Sequence, residues 1–110
     1  MFNLSDLHLA QEPERKLIEV PEVLHKGEPL SFFVSEMTCR EMDKITKKHK
    51  DLGSMEAMIE VIIMKAQDEN GEKAFSLEHK PFFMNRDPKI IARIFNQVFN
   101  AIGVEEHEKN

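Results

Sequence analysis

The stretch Met55-Glu56-Ala57-Met58-Ile59-Glu60-Val61-Ile62-Ile63-Met64-Lys65-Ala66 decides the fold, because it has apolar residues on nearly every side. Its charged residues are Glu56, Glu60 and Lys65, and at about 100° per residue the two glutamates share one narrow stripe of a helix. A helix that is apolar almost all round is surrounded by the rest of its protein. The run Val61-Ile62-Ile63 is also typical of a buried strand, but Met and Ala at both ends favour a helix. We therefore predict a central helix over residues 55–66, with Ser54 as its N-cap.

The start of a second helix is marked by Thr38-Cys39-Arg40-Glu41, which is a capping box. Met37 and Met42 occupy the two positions of the hydrophobic staple around it. The predicted helix covers residues 39–49 and packs on one side only, because Met42, Ile45 and His49 share one stripe. We expect it to end near Gly53.

The final helix is predicted over residues 88–102. Asp87-Pro88 combines an N-cap with a proline at the first helical position, and Gly103 stands where a C-terminal cap belongs. Its apolar residues cover an arc of about 180°, which is wider than the roughly 100° that a surface helix needs to reach one core. Part of the arc is therefore expected to contact another chain, and we predict weak self-association. The arc consists of Ile90, Ile91, Ile94, Phe95, Val98, Phe99 and Ile102.

The first third of the chain predicts a β-hairpin over residues 16–34. Residues 16–21 alternate loosely, His25-Lys26-Gly27-Glu28-Pro29 supplies turn residues, and residues 30–34 are aromatic and β-branched. A two-stranded hairpin is marginal alone, so one of its faces is expected to lie on the helices. Its unpaired edge is a second candidate for contact between copies of the chain.

A shorter element is predicted between the central and final helices. Asp68-Glu69-Asn70-Gly71 is a turn signal directly after the central helix. Ser76 is the predicted cap of a short helix that contains Leu77. This helix ends before Pro81 or continues unevenly into residues 82–84.

Together these elements predict an α+β fold, mainly α, in which an N-terminal β-hairpin packs on three or four helices. At 110 residues the chain suits one compact domain with one core. We assign residues 15–104 to that domain, residues 1–14 to a mobile or partner-docked arm and residues 105–110 to a charged tail.

Charge and cysteine content limit the classes of partner. The net charge of -5 and the isoelectric point near 5.5 argue against general affinity for nucleic acid or an anionic membrane surface. The single Cys39 cannot form an internal disulfide, and no apolar run reaches the roughly 18 residues of a membrane span. We therefore expect no membrane partner and a soluble protein in a reducing compartment, such as the cytoplasm.

The sequence lacks the spacing of a metal, cofactor or catalytic site. Residues 68–79 resemble a calcium loop only in part, because the glycine stands at the fourth position and His79 replaces the final Glu. The five histidines are dispersed, with no pair at helical ligand spacing. Cys39 lies in a first helical turn and is interpreted as a packed thiol. The sequence thus favours a binding or assembly module without a cofactor over an enzyme.

Lys47-Lys48-His49-Lys50 is the densest basic cluster of the chain. Cations at the end of a helix complement its dipole, which explains the cluster without a ligand. A four-residue basic cluster in an acidic chain is a weak signal for nucleic-acid binding. Nucleic acid is therefore not a predicted partner, and binding through residues 47–50 is kept only as a lesser alternative.

Several short motifs follow one another along residues 15–110. Ile18-Glu19-Val20-Pro21 is followed by Val34-Ser35-Glu36-Met37-Thr38, and the apolar helix leads into Asp68-Glu69-Asn70-Gly71-Glu72 and Phe75-Ser76. Gly103-Val104-Glu105-Glu106 then precedes a terminal Lys109-Asn110. In this order the chain resembles the small tail assembly chaperones of long-tailed bacteriophages and prophages. It departs from that family at Glu22, where an aromatic residue is frequent, and at Asp87-Pro88.

The resemblance implies a non-enzymatic protein of the bacterial cytoplasm that is absent from the mature virion. Such a protein coats the helical tape measure protein and helps to recruit the tail tube protein. A small regulatory or adaptor domain that binds another protein is the alternative. A partner helix needs a broad apolar surface that can repack, and the Phe and Met residues of this chain suit that role.

The predicted partner-binding surface combines the final helix with the aromatic residues that precede it. The part of the apolar arc that faces away from the central helix is expected to join side chains of residues 82–84 in one groove for a helix. The predicted residues are Phe82, Phe83, Met84, Ile91, Phe95, Phe99 and Ile102.

Overall fold

The computed structural model describes residues 1–102 and shows an antiparallel hairpin followed by four helices. The strands are β1 (Lys16–His25) and β2 (Glu28–Val34). The helices are α1 (Cys39–Lys48), α2 (Met55–Lys65), α3 (Lys80–Met84) and α4 (Pro88–Ala101), with short 3-10 turns at Leu4–Asp6 and Leu77–His79. The predicted α+β, mainly α fold is confirmed. The predicted cap at Gly103 and the charged tail 105–110 lie outside the described residues.

Each of the three long helices ends one residue earlier than the sequence predicted. His49 and Ala66 have extended backbone angles, although their N–H groups still donate to Ile45 and Ile62. Ile102 likewise follows the last helical residue as the C-cap of α4. Apolar periodicity continues through a cap residue, because its side chain still faces the core after the backbone has left the helix.

The hairpin packs one face on the helices. Ile18 and Val20 on β1 alternate with exposed residues, and Phe32 and Val34 on β2 are buried on either side of the half-buried Phe33. Lys26 and Gly27 form the tight turn with φ of 54° and 81°, which is the left-handed region that favours glycine. The register shifts between Val20 and Leu24. The strand therefore bulges, and of the adjacent apolar residues Val23 and Leu24 only Val23 packs against the core, whereas Leu24 is 66% exposed.

The outer edge of β2 is partly covered by the segment that follows α2. Phe33 N donates to Gln67 O at 2.9 Å, and Gln67 N donates to Phe33 O at 2.8 Å. Ala74 N donates back to Ala66 O at 3.1 Å, so the predicted turn at residues 68–71 closes a small loop beside the sheet. The sequence predicted a free edge on the hairpin. On the β2 side, the hydrogen bonds between Phe33 and Gln67 cover part of this edge, and the apolar periodicity of the sequence did not indicate them.

Helix α2 is the centre of the core, as predicted. Ile59, Val61, Ile62 and Ile63 are all buried, and the other three helices and the sheet surround them. Ser54 Oγ accepts from Ala57 N at 3.2 Å and caps the helix.

Helix α4 lies against both α2 and β1, so both sides of its apolar arc contact the core of the same chain. Five residues of the arc are buried, whereas Ile90 and Phe99 are half-buried at its margins. The premise that this arc exceeds the needs of one core was therefore wrong, because it assumed contact with one element rather than two. Arg93 on α4 also pairs with Glu22 of the β1 bulge, with Arg93 Nε donating to Glu22 Oε2 at 3.0 Å.

Candidate functional site

An apolar groove runs between the turn end of the hairpin and the segment that leads into α3. Its volume is about 390 Å³, which is in the range of pockets that hold a small ligand or several side chains. One wall comes from the hairpin and the other from residues 73–83. The lining residues are Val23, Leu24, His25, Leu30, Ser31, Asp68, Lys73, Ala74, Phe75, His79, Phe82 and Phe83.

The floor of the groove is a cluster of aromatic rings around Phe75. Its ring centre lies 5.7 Å from that of Phe32 and 5.2 Å from that of Phe83, in edge-to-face contacts. His79 stands at 5.8 Å from the same ring. Because Phe32 and Phe83 are buried in the core, the floor is fixed to the body of the protein.

The rim of the groove carries large apolar side chains that the chain itself leaves uncovered. Leu24 on the hairpin side is 66% exposed, and Phe82 on the α3 side is 44% exposed. Arg86 covers one face of the Phe82 ring, with its guanidinium carbon 4.5 Å from the ring centre. Leu24 and Phe82 therefore present apolar surface from opposite walls of one groove.

Local hydrogen bonds explain why residues 76–84 adopt this shape. Ser76 N donates to His79 Nδ1 at 2.9 Å, which holds the 3-10 turn Leu77–His79. The turn runs directly into α3, where Pro81 is tolerated because it lies in the first helical turn. Asn85 Nδ2 closes the helix by donating to Pro81 O at 2.8 Å. Of the two alternatives left by the sequence, continuation into residues 82–84 is confirmed.

A second turn fixes the opposite corner of the groove. Asp68 Oδ1 accepts from Asn70 N at 2.8 Å and from Glu72 N at 3.0 Å, around Gly71 with a φ of 82°. Arg15 donates to the carbonyl oxygens of Asp68 and Glu69, and its guanidinium lies 4.5 Å from the Phe33 ring centre. Arg15 thus attaches the end of the N-terminal arm beside the groove.

Helix α3 is held in position by a buried carboxylate that the sequence reasoning missed. Glu60 on α2 accepts from Lys80 Nζ at 2.8 Å and from Lys48 Nζ at 2.7 Å, and His49 Nε2 lies 3.2 Å away. Burial alone would raise its pKa, but the hydrogen bonds from Lys48 and Lys80 outweigh this and lower the pKa of Glu60 to about 2. One carboxylate therefore links α1, α2 and α3. A glutamate inside a nearly all-apolar stretch was the available signal.

A second buried ion pair connects α1 to α2. Lys65 Nζ donates to Glu41 Oε1 at 2.8 Å and to Glu36 O at 3.0 Å, and the Lys65 side chain is 3% exposed. The same Glu41 oxygen accepts from Thr38 N at 3.0 Å in the capping box. Although partial burial opposes ionisation, the hydrogen bond from Lys65 helps to hold the pKa of Glu41 below its usual range.

The residues predicted to bind a partner are divided between the groove and the core. Phe82 lies on the rim and Phe83 in the floor, while Met84 is 49% exposed outside the groove lining. Phe99 is half-buried and stacks on Phe95 at 4.9 Å between ring centres. The others are buried in the core: Ile91, Phe95 and Ile102.

The hairpin wall of the groove was missed by the sequence reasoning. Val23 and Leu24 are adjacent apolar residues that break the alternation of β1, and this break was the signal for a bulge at an exposed site. Phe75 was noted only as part of a motif, although it lies at the centre of the aromatic floor.

The basic cluster at residues 47–50 is largely engaged with carboxylates. Lys47 Nζ lies 2.9 Å from Asp43 Oδ2, and Lys48 pairs with Glu60. Cys39 is exposed in the first turn of α1, so its interpretation as a packed thiol was wrong. Within residues 1–102, no group of three or more His, Cys, Asp or Glu side chains is placed to hold a metal ion. None of the helices in this part of the chain has the length and apolar character needed to cross a membrane.

Comparisons with protein-family models, with curated proteins and with solved structures found no match to the chain.

Proposed function

We propose that this chain is a non-enzymatic assembly chaperone for phage or prophage tails, which binds a helical segment of the tape measure protein in the apolar groove. It acts in the cytoplasm of the bacterial host and assists assembly of the tail tube protein. The proposal joins the motif order found in the sequence to a groove of suitable chemistry in the structure.

The observation that carries the proposal is the pair Leu24 and Phe82, exposed on opposite walls above a fixed aromatic floor. Apolar surface left in water costs about 25 cal/mol per Å² relative to burial, so a partner that covers both side chains gains free energy. An amphipathic helix places apolar side chains at i, i+3, i+4 and i+7 along one stripe, which suits a groove that has an apolar anchor on each wall. Two facing anchors on a rigid floor favour a helix inserted between them.

An exposed methionine close in sequence to the groove suits a partner with a long and varied sequence. Met84, two residues after Phe82, is 49% exposed, and Met side chains adapt to different shapes because they are unbranched and polarisable. A chaperone that coats successive segments of one long helix needs this tolerance.

A small adaptor domain that binds a helix of another cellular protein would use the same groove. The two functions differ in the identity of the partner. A neighbouring gene for a very long coiled-coil protein supports the chaperone function, and its absence supports the adaptor.

The proposal is tested by co-expressing the full chain with the tape measure protein of the same genome. Leu24→Asp is compared with Leu77→Asp, because both leucines are exposed, at 66% and 60%, and only Leu24 lines the groove. We expect the tape measure protein to be retained by the wild type and by Leu77→Asp, and lost with Leu24→Asp. Equal retention by all three, with each variant folded by circular dichroism, would refute binding in the groove.

A further inference from the structure

The N-terminal arm carries a set of large apolar side chains that the rest of the chain leaves largely exposed. No residue before Ile18 is buried. Five of the arm's side chains are between 61% and 123% exposed: Met1, Phe2, Leu4, Leu7 and Leu9. So many uncovered apolar residues in one short segment mark a segment that docks on another surface.

The arm of one molecule leaves the groove of the same molecule uncovered, although the end of the arm at Arg15 lies beside that groove. Arg15 binds the carbonyl of Asp68, and Asp68 also lines the groove. From this point the chain does not lie on Leu24 or Phe82, which stay exposed. In one molecule, the apolar side chains of the arm and the apolar groove are therefore both left uncovered.

We propose that the arm of one copy docks in the apolar groove of a second copy, and that the exchange is reciprocal. The arm carries the carboxylates of Asp6, Glu12 and Glu14 against its α-amino group. The groove lining carries Lys73 together with the carboxylate of Asp68. Lys73 is therefore available to pair with a carboxylate of the arm while the apolar side chains of the arm cover the floor.

The area available matches what a stable dimer needs. Full burial of a large apolar side chain removes about 60–120 Å² from water. Ten such side chains from two arms, with a similar area on the facing grooves, bury about 1,200–2,400 Å² in total, which spans the standard size of specific interfaces. A contact in one direction only would bury half of this and would leave one arm uncovered.

This inference does not rest on the proposed function, because the arm needs cover whichever partner the groove serves. It also predicts that a partner helix and the arm of a second copy compete for one groove. The arm of a neighbouring copy then shields the groove until a partner displaces it.

The test uses two full-length variants, one with an altered arm and one with an altered groove. The arm variant is Leu7→Asp with Leu9→Asp, and we expect the fold to tolerate both changes because these side chains are 61% and 66% exposed. The groove variant is Leu24→Asp, at a 66% exposed position, and its matched control is Leu77→Asp. Sedimentation equilibrium then gives the dissociation constant of each protein alone and of the two variants mixed.

We expect the wild type and Leu77→Asp to dimerise, and both the arm and the groove variant to dimerise at least about tenfold more weakly. Mixing the two variants restores association, because the intact arm of one meets the intact groove of the other. A wild type that is monomeric at all concentrations would overturn the inference, and would be the result if each arm docked on its own body. Mixed variants that associate no better than either alone would overturn it as well.

Discussion

The carboxylate of Glu60 on α2 accepts a hydrogen bond from Lys80 Nζ at 2.8 Å, at the first residue of α3. Helix α3 has five residues, which is too short to be stable without tertiary contacts. The ion pair therefore complements the packing of Phe83 in fixing α3, and with it the α3 wall of the groove. The stability of α3 and the shape of the groove are connected through this contact.

The first prediction concerns removal of this carboxylate. Glu60→Ala should lower the free energy of unfolding by about 2–4 kcal/mol, because Lys80 and Lys48 lose a partner that is buried. Urea denaturation followed by circular dichroism measures the change. Glu56→Ala is the control, since Glu56 binds the same lysine at 2.6 Å from an exposed position and should have a smaller effect. Equal effects of the two substitutions would contradict the role given to burial.

The second prediction concerns pH. The pKa of Glu60 is lowered from 4.5 to about 2 on folding. Its contribution to stability is therefore fully present above pH 4.5 and is lost as the pH falls toward 2, by at most about 3 kcal/mol. Urea denaturation at a series of pH values should show a shallower loss for Glu60→Gln over this interval than for the wild type. Parallel curves for the two proteins would show that another group dominates acid unfolding.

The third prediction concerns the shared oxygen of Glu41. Glu41→Ala removes the capping box acceptor and leaves the Lys65 ammonium without its carboxylate, so we expect a loss of about 3 kcal/mol. Thr38→Ala removes only a helix cap and should cost about 1 kcal/mol. Combining Lys65→Met with Glu41→Ala should recover part of the loss, because no buried charge is then left unpaired. A double variant less stable than Glu41→Ala would contradict this account.

The fourth prediction is that Phe95 on α4 contributes to the stability of the fold and not to contact with a partner. Phe95 is buried and stacks on Phe99, so Phe95→Ala should cost about 3–5 kcal/mol of stability. Any loss of partner binding in that variant should disappear under conditions that restore the native fold. Thermal unfolding and binding measured on the same samples check this. A stable Phe95→Ala protein that fails to bind would return this part of α4 to the binding surface.

Most of the fold could be predicted from the sequence because the residues that start its helices lie close together in the chain. The capping box at Thr38, the N-cap at Ser54 and the Asp87-Pro88 pair each use side chains within four residues of the backbone that they cap. The hairpin followed from its turn residues in the same way.

The site was less predictable because it depends on contacts between distant segments. Leu24 and Phe82 face one groove although 58 positions (82 − 24) separate them. The ion pairs of Glu60 and Lys65 likewise join different helices, and the sequence showed only that charges interrupt an apolar helix. Apolar periodicity identified Ile91 and Phe95 as a surface, but it could not show that two elements of the same chain cover them.

The fifth prediction is competition between partner and self-association. A peptide from the tape measure protein that binds the groove should dissociate the dimer formed by arm exchange, because both use Leu24 and Phe82. Sedimentation of the full chain with increasing peptide measures the shift toward a one-to-one complex. A peptide that binds without changing the dimer population would place the two contacts on separate surfaces.

The most direct test of the central claim is a map of the partner-binding surface by NMR. The 12.8 kDa chain is small enough for amide resonances to be assigned and followed during titration with a helical tape measure fragment. Binding in the groove predicts the largest shifts at Val23, Leu24, Ala74, Phe75 and Phe82, with little change in α1. Shifts concentrated at residues 47–50, or no shifts at saturating fragment, would contradict it.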